Sequence, residues 1–225
     1  MNAEAEAKVA VLQHFDRRRR DLWTRVISEL PLPALGIRAD LIVSGRHPTA
    51  IEIKTENDNL SRLAKQTTAL SHAFPLVYVA ASTNHIRKIS FELNPDFGLI
   101  ELKSNGVTKS LRTAKISRAY SPSVSVEVLP NLALANWLGV SRNLSRQRLL
   151  AAIRAASKAD QARAFRSYLS ERASTQAFKN NISEDKSSDR KNTPKRVLAI
   201  TCHPETYGSN FGKVPAIIKG RFEIF

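Results

Sequence analysis

Two short segments in the first quarter of the chain carry acidic side chains, and one of them adds a lysine. Asp40 lies within residues 38–43, and Glu52 and Lys54 lie within residues 50–54. Because side chains alternate between the faces of a strand, Glu52 and Lys54 are expected on one face. Mg²⁺ accepts a few carboxylates and keeps room for phosphate. The spacing therefore predicts metal-assisted chemistry on a phosphodiester.

The roles expected of these residues follow from that chemistry. A metal ion lowers the pKa of its bound water and clamps phosphoryl oxygens. A lysine beside it can hold the water and offset the charge that develops. The alternative is structural: Asp40 and Glu52 would then be strand-end carboxylates that form salt bridges with Lys54 or Arg38.

The composition favours a polyanionic partner. The chain has 225 residues, a formal net charge of +15 and 42% hydrophobic residues, and its pI is near 10.4. Lysines and arginines that neutralise phosphates release counterions, so such a balance favours nucleic acid. No apolar run has the length of a membrane span and no signal region opens the chain, which predicts a cytoplasmic protein. With Cys202 as the single cysteine, no internal disulfide is possible.

The periodicity of apolar residues predicts an α/β fold with a mixed central sheet flanked by helices. A helix is expected over residues 3–29, ended by Pro31 and Pro33. The strand at 50–55, the helix ending near 72 and the strand at 76–81 should form a parallel crossover. The predicted units are a core at 1–130, a basic helical extension at 131–176, a polar linker at 177–196 and a C-terminal segment at 197–225.

The residues around the acids resemble the PD-(D/E)XK nuclease superfamily, and more closely the sce7726 family. The resemblance rests on residues 28–30, 38–41, 51–55, 58–63 and Gln66. It implies a restriction-endonuclease-like core and a nuclease, that is, a hydrolase of phosphodiester bonds. The cofactor it implies is Mg²⁺, with Mn²⁺ as a substitute.

The resemblance also implies a role for each matching residue. Asp40, Glu52 and Glu29 would ligate the metal, with Glu29 carried by the end of the first helix. Lys54 would act on the attacking water, and Gln66 matches a glutamine found near the site in some branches of the superfamily.

The partner expected from charge and resemblance together is nucleic acid, and DNA first. Arg38, Arg62 and Lys65 are the candidate contacts, although Arg62 could equally be a solvated side chain. A homodimer is expected if both strands of a duplex are cut. Two alternatives to a nuclease remain open here: a nucleic-acid-binding module on the same fold that does not cut, and a basic protein that binds an acidic protein partner.

Overall fold

The computed structural model describes residues 3–16 and 25–182, and the side chains within residues 3–15 and 25–175. The part of the expected 177–196 linker that follows residue 182, the C-terminal segment at 197–225 and the four consecutive arginines at 17–20 lie outside the described residues. The strands are β1 (Val26–Leu32), β2 (Ile37–Val43), β3 (Thr49–Lys54), β4 (Leu76–Ser82), β5 (Gly98–Leu102) and β6 (Thr108–Arg112). The helices are α1 (Ala3–Asp16), α2 (Leu63–Ala73), α3 (Thr83–Glu92), α4 (Pro122–Glu127), α5 (Asn131–Leu138), α6 (Arg146–Ala155) and α7 (Lys158–Ile182).

The six strands form one mixed sheet in the order β1-β2-β3-β4-β5-β6. The central strands β3, β4 and β5 are parallel, and the remaining neighbours are antiparallel. Helix α2 connects β3 to the parallel strand β4, which confirms the predicted crossover. The α/β class with a mixed sheet, flanking helices and C-terminal helices is therefore shown.

The sheet separates two apolar clusters. The larger one lies under α2, α3 and the C-terminal helices and includes Phe74 and Phe165, whose rings meet edge to face at 5.2 Å. The smaller one lies under α1 and includes Val11 and Leu12. A central strand that is covered on both faces needs a continuous apolar run, and β4 has one.

The expected helix over residues 3–29 is wrong at its C-terminal end. Helix α1 is described as far as Asp16, and residues 26–32 form β1, which pairs with β2. Val26 and Ile27 are β-branched and buried, and they pack better in a pleated sheet than in a helix. The strand β6 and the helix α3 were also not anticipated.

The C-terminal helices pack against the core. Helix α7 lies along α4 and reaches β1. The fully buried Gln161 joins this bundle, since its amide donates to the carbonyls of Arg154 and Ala156 at 3.1 and 2.9 Å and its carbonyl accepts from Ser123 Oγ at 2.8 Å. Helix α7 continues to Ile182, beyond the expected start of the linker at 177.

Among the described residues, no helix is both long and apolar enough to cross a membrane.

Gly98 in β5 lies directly against the ring of Tyr78 in β4. A Cβ at residue 98 would come within 2.8 Å of Tyr78 Cγ and overlap other atoms of the ring. The ring has little room to move because it packs edge-on against Phe15, with centroids 5.2 Å apart. We expect Gly98→Ala to lower the free energy of unfolding by about 1–3 kcal/mol, the usual cost of overpacking, as measured by urea denaturation.

The matched control is the same substitution in a Tyr78→Ala background. Without the ring, Gly98→Ala should become neutral or stabilising, because alanine loses less conformational entropy on folding than glycine. An equal loss of stability in both backgrounds would contradict the assigned contact.

Candidate functional site

A cavity of about 810 Å³ opens where β2, β3 and the start of α2 meet. Its walls carry both signs of charge. The carboxylates lining it are Glu4, Asp40, Glu52 and Asp58, and the cations lining it are Arg38, Lys54, Arg62 and Lys65. It is the place where the sequence predicted a site, and the predicted residues Asp40, Glu52, Lys54 and Gln66 all line it.

Glu52 and Lys54 lie on the same face of β3, as the alternation of side chains requires. Every residue of β3 is buried, and Glu52 is only 1% exposed. Lys54 Nζ donates to Glu52 Oε1 at 2.8 Å and to Gln66 Oε1 at 3.1 Å. Glu52 Oε2 is buried without a hydrogen-bond partner. Burial raises the pKa of Glu52, while the nearby Lys54 charge acts to lower it.

Asp40 reaches the cavity from β2. Its Oδ2 accepts a hydrogen bond from the Ile53 amide at 2.7 Å. Burial and then the negative charge of Glu52 raise the pKa of Asp40 to about 7, against the lowering effect of the Ile53 hydrogen bond. Two carboxyl groups that disfavour each other's ionisation suit a site that gains a cation.

Glu29 lies on β1 and not on a helix, so its expected placement at the end of the first helix is wrong. The ladder pairs Ser28 with Leu41 and Leu30 with Ala39, which leaves Glu29 level with Asp40. Glu29 has a φ of +55°, the one positive φ among described residues other than glycine. This backbone conformation interrupts the strand at the level of Asp40.

Two cations neutralise Glu29. Lys8 of α1 donates to its Oε1, and Arg38 Nε lies 2.5 Å from its Oε2. Lys8 also donates to Glu4 Oε1 at 2.7 Å, which lowers the pKa of Glu4. Carboxylate oxygens of Glu4, Glu29 and Asp40 lie within 4.8 Å of one another. Glu4 was missed, because nothing in the sequence links an acid on α1 to the sheet.

The loop between β3 and α2 forms the opposite wall of the cavity. Asp58 Oδ2 accepts from the amide and from the hydroxyl of Thr55, both at 2.6 Å, and these bonds lower the pKa of Asp58. Asn59 accepts from Ser61 N at 2.7 Å and thereby caps the turn that leads into α2. Arg62 and Lys65 follow, both exposed at the rim of the cavity.

Several arginines of the helical extension have structural partners. Arg146 donates to main-chain carbonyls of Leu129 and Glu127, Arg154 to the Glu127 carboxylate at 2.6 Å, and Arg163 to Asp160. The bonds of Arg146 and Arg154 join α6 to the end of α4 and to Leu129 after it, whereas the bond of Arg163 lies within α7.

Comparisons with known proteins identify the family. The model of the family described as "Bacteriophage P4 protein cII" matches residues 1–195. The chain belongs to this family. A relative named "Protein cII", from Enterobacteria phage P4, is 25% identical over 118 residues, which are 52% of this chain. The matched region spans 45% of the length of that relative. No solved structure matches.

Membership of the cII family corrects the expectations drawn from the resemblance. The assignments to the PD-(D/E)XK superfamily and to the sce7726 family are wrong, since the family that matches is the cII family and no nuclease family does. The expected activity, a metal-dependent nuclease or phosphodiesterase, is wrong for the same reason. The combination of Asp40 with Glu52, Ile53 and Lys54 was too short to separate the two families.

The raised pKa of Asp40 predicts how the stability of the protein depends on pH. A carboxyl group whose pKa rises from 3.8 to about 7 on folding binds its proton more tightly in the native state. The stability it contributes is present below pH 4 and is lost as the pH rises to 7. In EDTA, Asp40→Asn should therefore remove part of the fall in stability between pH 5 and pH 8. Because one pKa unit corresponds to about 1.4 kcal/mol, a difference of ~1–3 kcal/mol is expected.

Asparagine keeps an acceptor for the Ile53 amide, so the substitution changes the charge more than the hydrogen bonding. Asp58→Asn is the control: its pKa is lowered, so its contribution is lost as the pH falls, in the opposite direction. Parallel stability curves for wild type and Asp40→Asn would contradict the assignment.

Proposed function

We propose that this member of the cII family is a nucleic-acid-binding protein and that DNA is its partner. The observation that carries the proposal is the distribution of charge in the cavity. Exposed Arg62 and Lys65 stand at its rim, while Asp40 and Glu52 lie deeper. The net charge of +15 supplies the long-range attraction for phosphate.

The rim is suited to a phosphate backbone. Arg62 and Lys65 are three residues apart at the start of α2, so they are neighbours on one side of that helix. Arg38 adds a third cation from β2, although it also forms an ion pair with Glu29. Contacts of this kind hold a duplex in place and carry no sequence information by themselves.

We also propose that Asp40 and Glu52 bind a divalent cation, Mg²⁺ or Mn²⁺. The support is the chemistry of the donors. Glu52 Oε2 is a buried oxygen without a hydrogen-bond partner, and the charge of Glu52 raises the pKa of Asp40. A bound cation would give Glu52 Oε2 a partner and would offset the repulsion between the two carboxylates. Glu29 fits the cation less well, because Lys8 and Arg38 already neutralise it.

We also propose that the core has a restriction-endonuclease-like arrangement of strands and helices. This part of the proposal concerns the fold and not an activity. What supports it is the central position of β3, with Glu52 and Lys54 on one face, and the parallel connection through α2 to β4. Fold does not determine function, so binding DNA is proposed on the charges alone.

DNA binding is tested by fluorescence anisotropy with labelled duplex DNA, single-stranded DNA and duplex RNA of one sequence. Arg62→Glu combined with Lys65→Glu should weaken duplex DNA binding at least tenfold, about 1.4 kcal/mol. It should also flatten the dependence of log affinity on log salt, because fewer counterions are released.

The matched control is Arg87→Glu combined with Lys88→Glu, two exposed cations on α3 outside the cavity. Both double variants lower the net charge by the same amount. If the two weaken DNA binding equally, the rim is not the binding surface. Affinity that does not change with salt would contradict a phosphate-binding role altogether.

Cation binding is tested separately by Mn²⁺-induced broadening of backbone amide NMR signals. Broadening should centre on Asp40, Glu52 and Ile53, and Glu52→Gln should abolish it while still offering Lys54 an acceptor. Asp96→Asn, on the loop before β5, is the control and should leave the broadening unchanged. Broadening that survives Glu52→Gln, or that centres on Glu4, would contradict the proposed ligands.

A further inference from the structure

Strand β6 is the last strand of the sheet. It pairs with β5 on one side, and among the described residues no strand follows it. A helix approaches each edge strand: α7 approaches β1, and α1 approaches β6, where His14 Nδ1 lies 3.0 Å from Thr108 Oγ1. An edge strand presents main-chain N–H and C=O groups on its free side, which makes it a template for another extended chain.

The exposed apolar residues concentrate at this edge. Four large apolar side chains are exposed in the described part of the chain, and three of them lie within residues 107–116. Val107 is 48% exposed, Leu111 40% and Ile116 57%. We call residues 107–116 the basic edge, for the charges that accompany these apolar groups.

The charges of this region have one sign. Between Glu101 and Glu127 the sequence holds no acidic residue and five basic ones: Lys103, Lys109, Arg112, Lys115 and Arg118. Arg112 donates to the carbonyls of Phe97 and Asn94, and Arg118 lies 3.6 Å from Asp96. The three lysines are exposed.

The acids that face the basic edge have other partners. Glu101 stands opposite Lys109 in the ladder, but its carboxylate accepts from Thr83 at 3.0 Å. Asp96 is the partner of Arg118. The five basic residues outnumber these two acids, so the edge keeps a net positive charge.

We propose that the basic edge binds an extended acidic segment of a partner protein as an added β-strand. Main-chain hydrogen bonds to β6 would supply affinity, and apolar side chains of the segment would pack on Val107 and Leu111. Acidic side chains would pair with Lys109 and Lys115. The exposed apolar groups favour a peptide over nucleic acid, whose backbone offers them no apolar contact.

A second copy of this chain fits the edge less well. Two β6 strands placed side by side would bring Lys109 and Arg112 of each copy together, and like charges across strands are destabilising. Leu111 is also the extra residue of a β-bulge, since the register shifts between Leu99 and Ile100. Bulges twist an edge and discourage flat edge-to-edge pairing.

The test uses the full chain and a phage-displayed library of random octapeptides. Enriched sequences should be acidic with apolar residues at alternate positions, and a synthetic peptide of the enriched sequence is then measured by fluorescence anisotropy. Lys109→Glu combined with Lys115→Glu should weaken that peptide at least tenfold. Arg87→Glu combined with Lys88→Glu, which changes the net charge equally, should change its affinity less than twofold.

Binding as an added β-strand also predicts which amides of the peptide form hydrogen bonds with β6. N-methylation of one alternate set of peptide amides should weaken binding at least tenfold, whereas N-methylation of the other set should not, because only one set faces β6. Thermal melting of each variant establishes that it is folded before its affinity is compared.

Three outcomes would overturn the proposal. The first is a library that yields no acidic enrichment or yields peptides indifferent to Lys109 and Lys115. The second is displacement of the peptide by duplex DNA, which would make the edge a nucleic-acid surface. The third is concentration-dependent dimerisation that the Lys109 and Lys115 substitutions alter, which would make the edge an interface between copies.

Discussion

The burial of two opposite charges within β3 is the constraint that organises this fold. Glu52 and Lys54 lie in a strand whose residues are all buried. A charged group removed from water costs several kcal/mol unless it is paired and hydrogen-bonded. Lys54 therefore donates to Glu52 and to Gln66. Because Gln66 is on α2, this network requires α2 to lie against the end of β3, and the cavity is the space left between them.

The need to pair buried charges also explains why the N-terminal part of α1, which carries Glu4 and Lys8, lies against the sheet. Glu29 is carried into the acidic cluster by a left-handed backbone conformation, which costs on the order of 1–3 kcal/mol outside glycine. Lys8 offsets the resulting charge from the other side by bridging Glu29 and Glu4. The ion pairs of Glu4 and Lys8 and the apolar contacts of Val11 and Leu12 thus lie along one face of α1, the ion pairs toward its N-terminus and the apolar contacts toward its C-terminus.

The parts of the fold that the sequence predicted are those with a strong local signal. The alternation in β3 and the apolar run of β4 each depend on neighbouring residues, and the structure has both. Strand β1 was misread because Val26 and Ile27 also fit a helical stripe that begins in α1. Residues 26–32 form a strand because they pair with β2, and this pairing joins residues that are not neighbours in the sequence. Glu4 was missed for the same reason.

The function was harder to predict than the positions of the residues. An acid, a second acid and a lysine on adjacent strands satisfy the requirements of a metal site, and they equally satisfy one another by ion pairing and hydrogen bonding. In this chain Lys54 is already bound by Glu52 and Gln66, and Glu29 by Lys8 and Arg38. Two carboxylate oxygens here are buried without a hydrogen-bond partner, Glu29 Oε2 and Glu52 Oε2; Arg38 lies beside the first, which leaves the oxygen of Glu52. The proposed cation site rests on that oxygen and not on the motif as a whole.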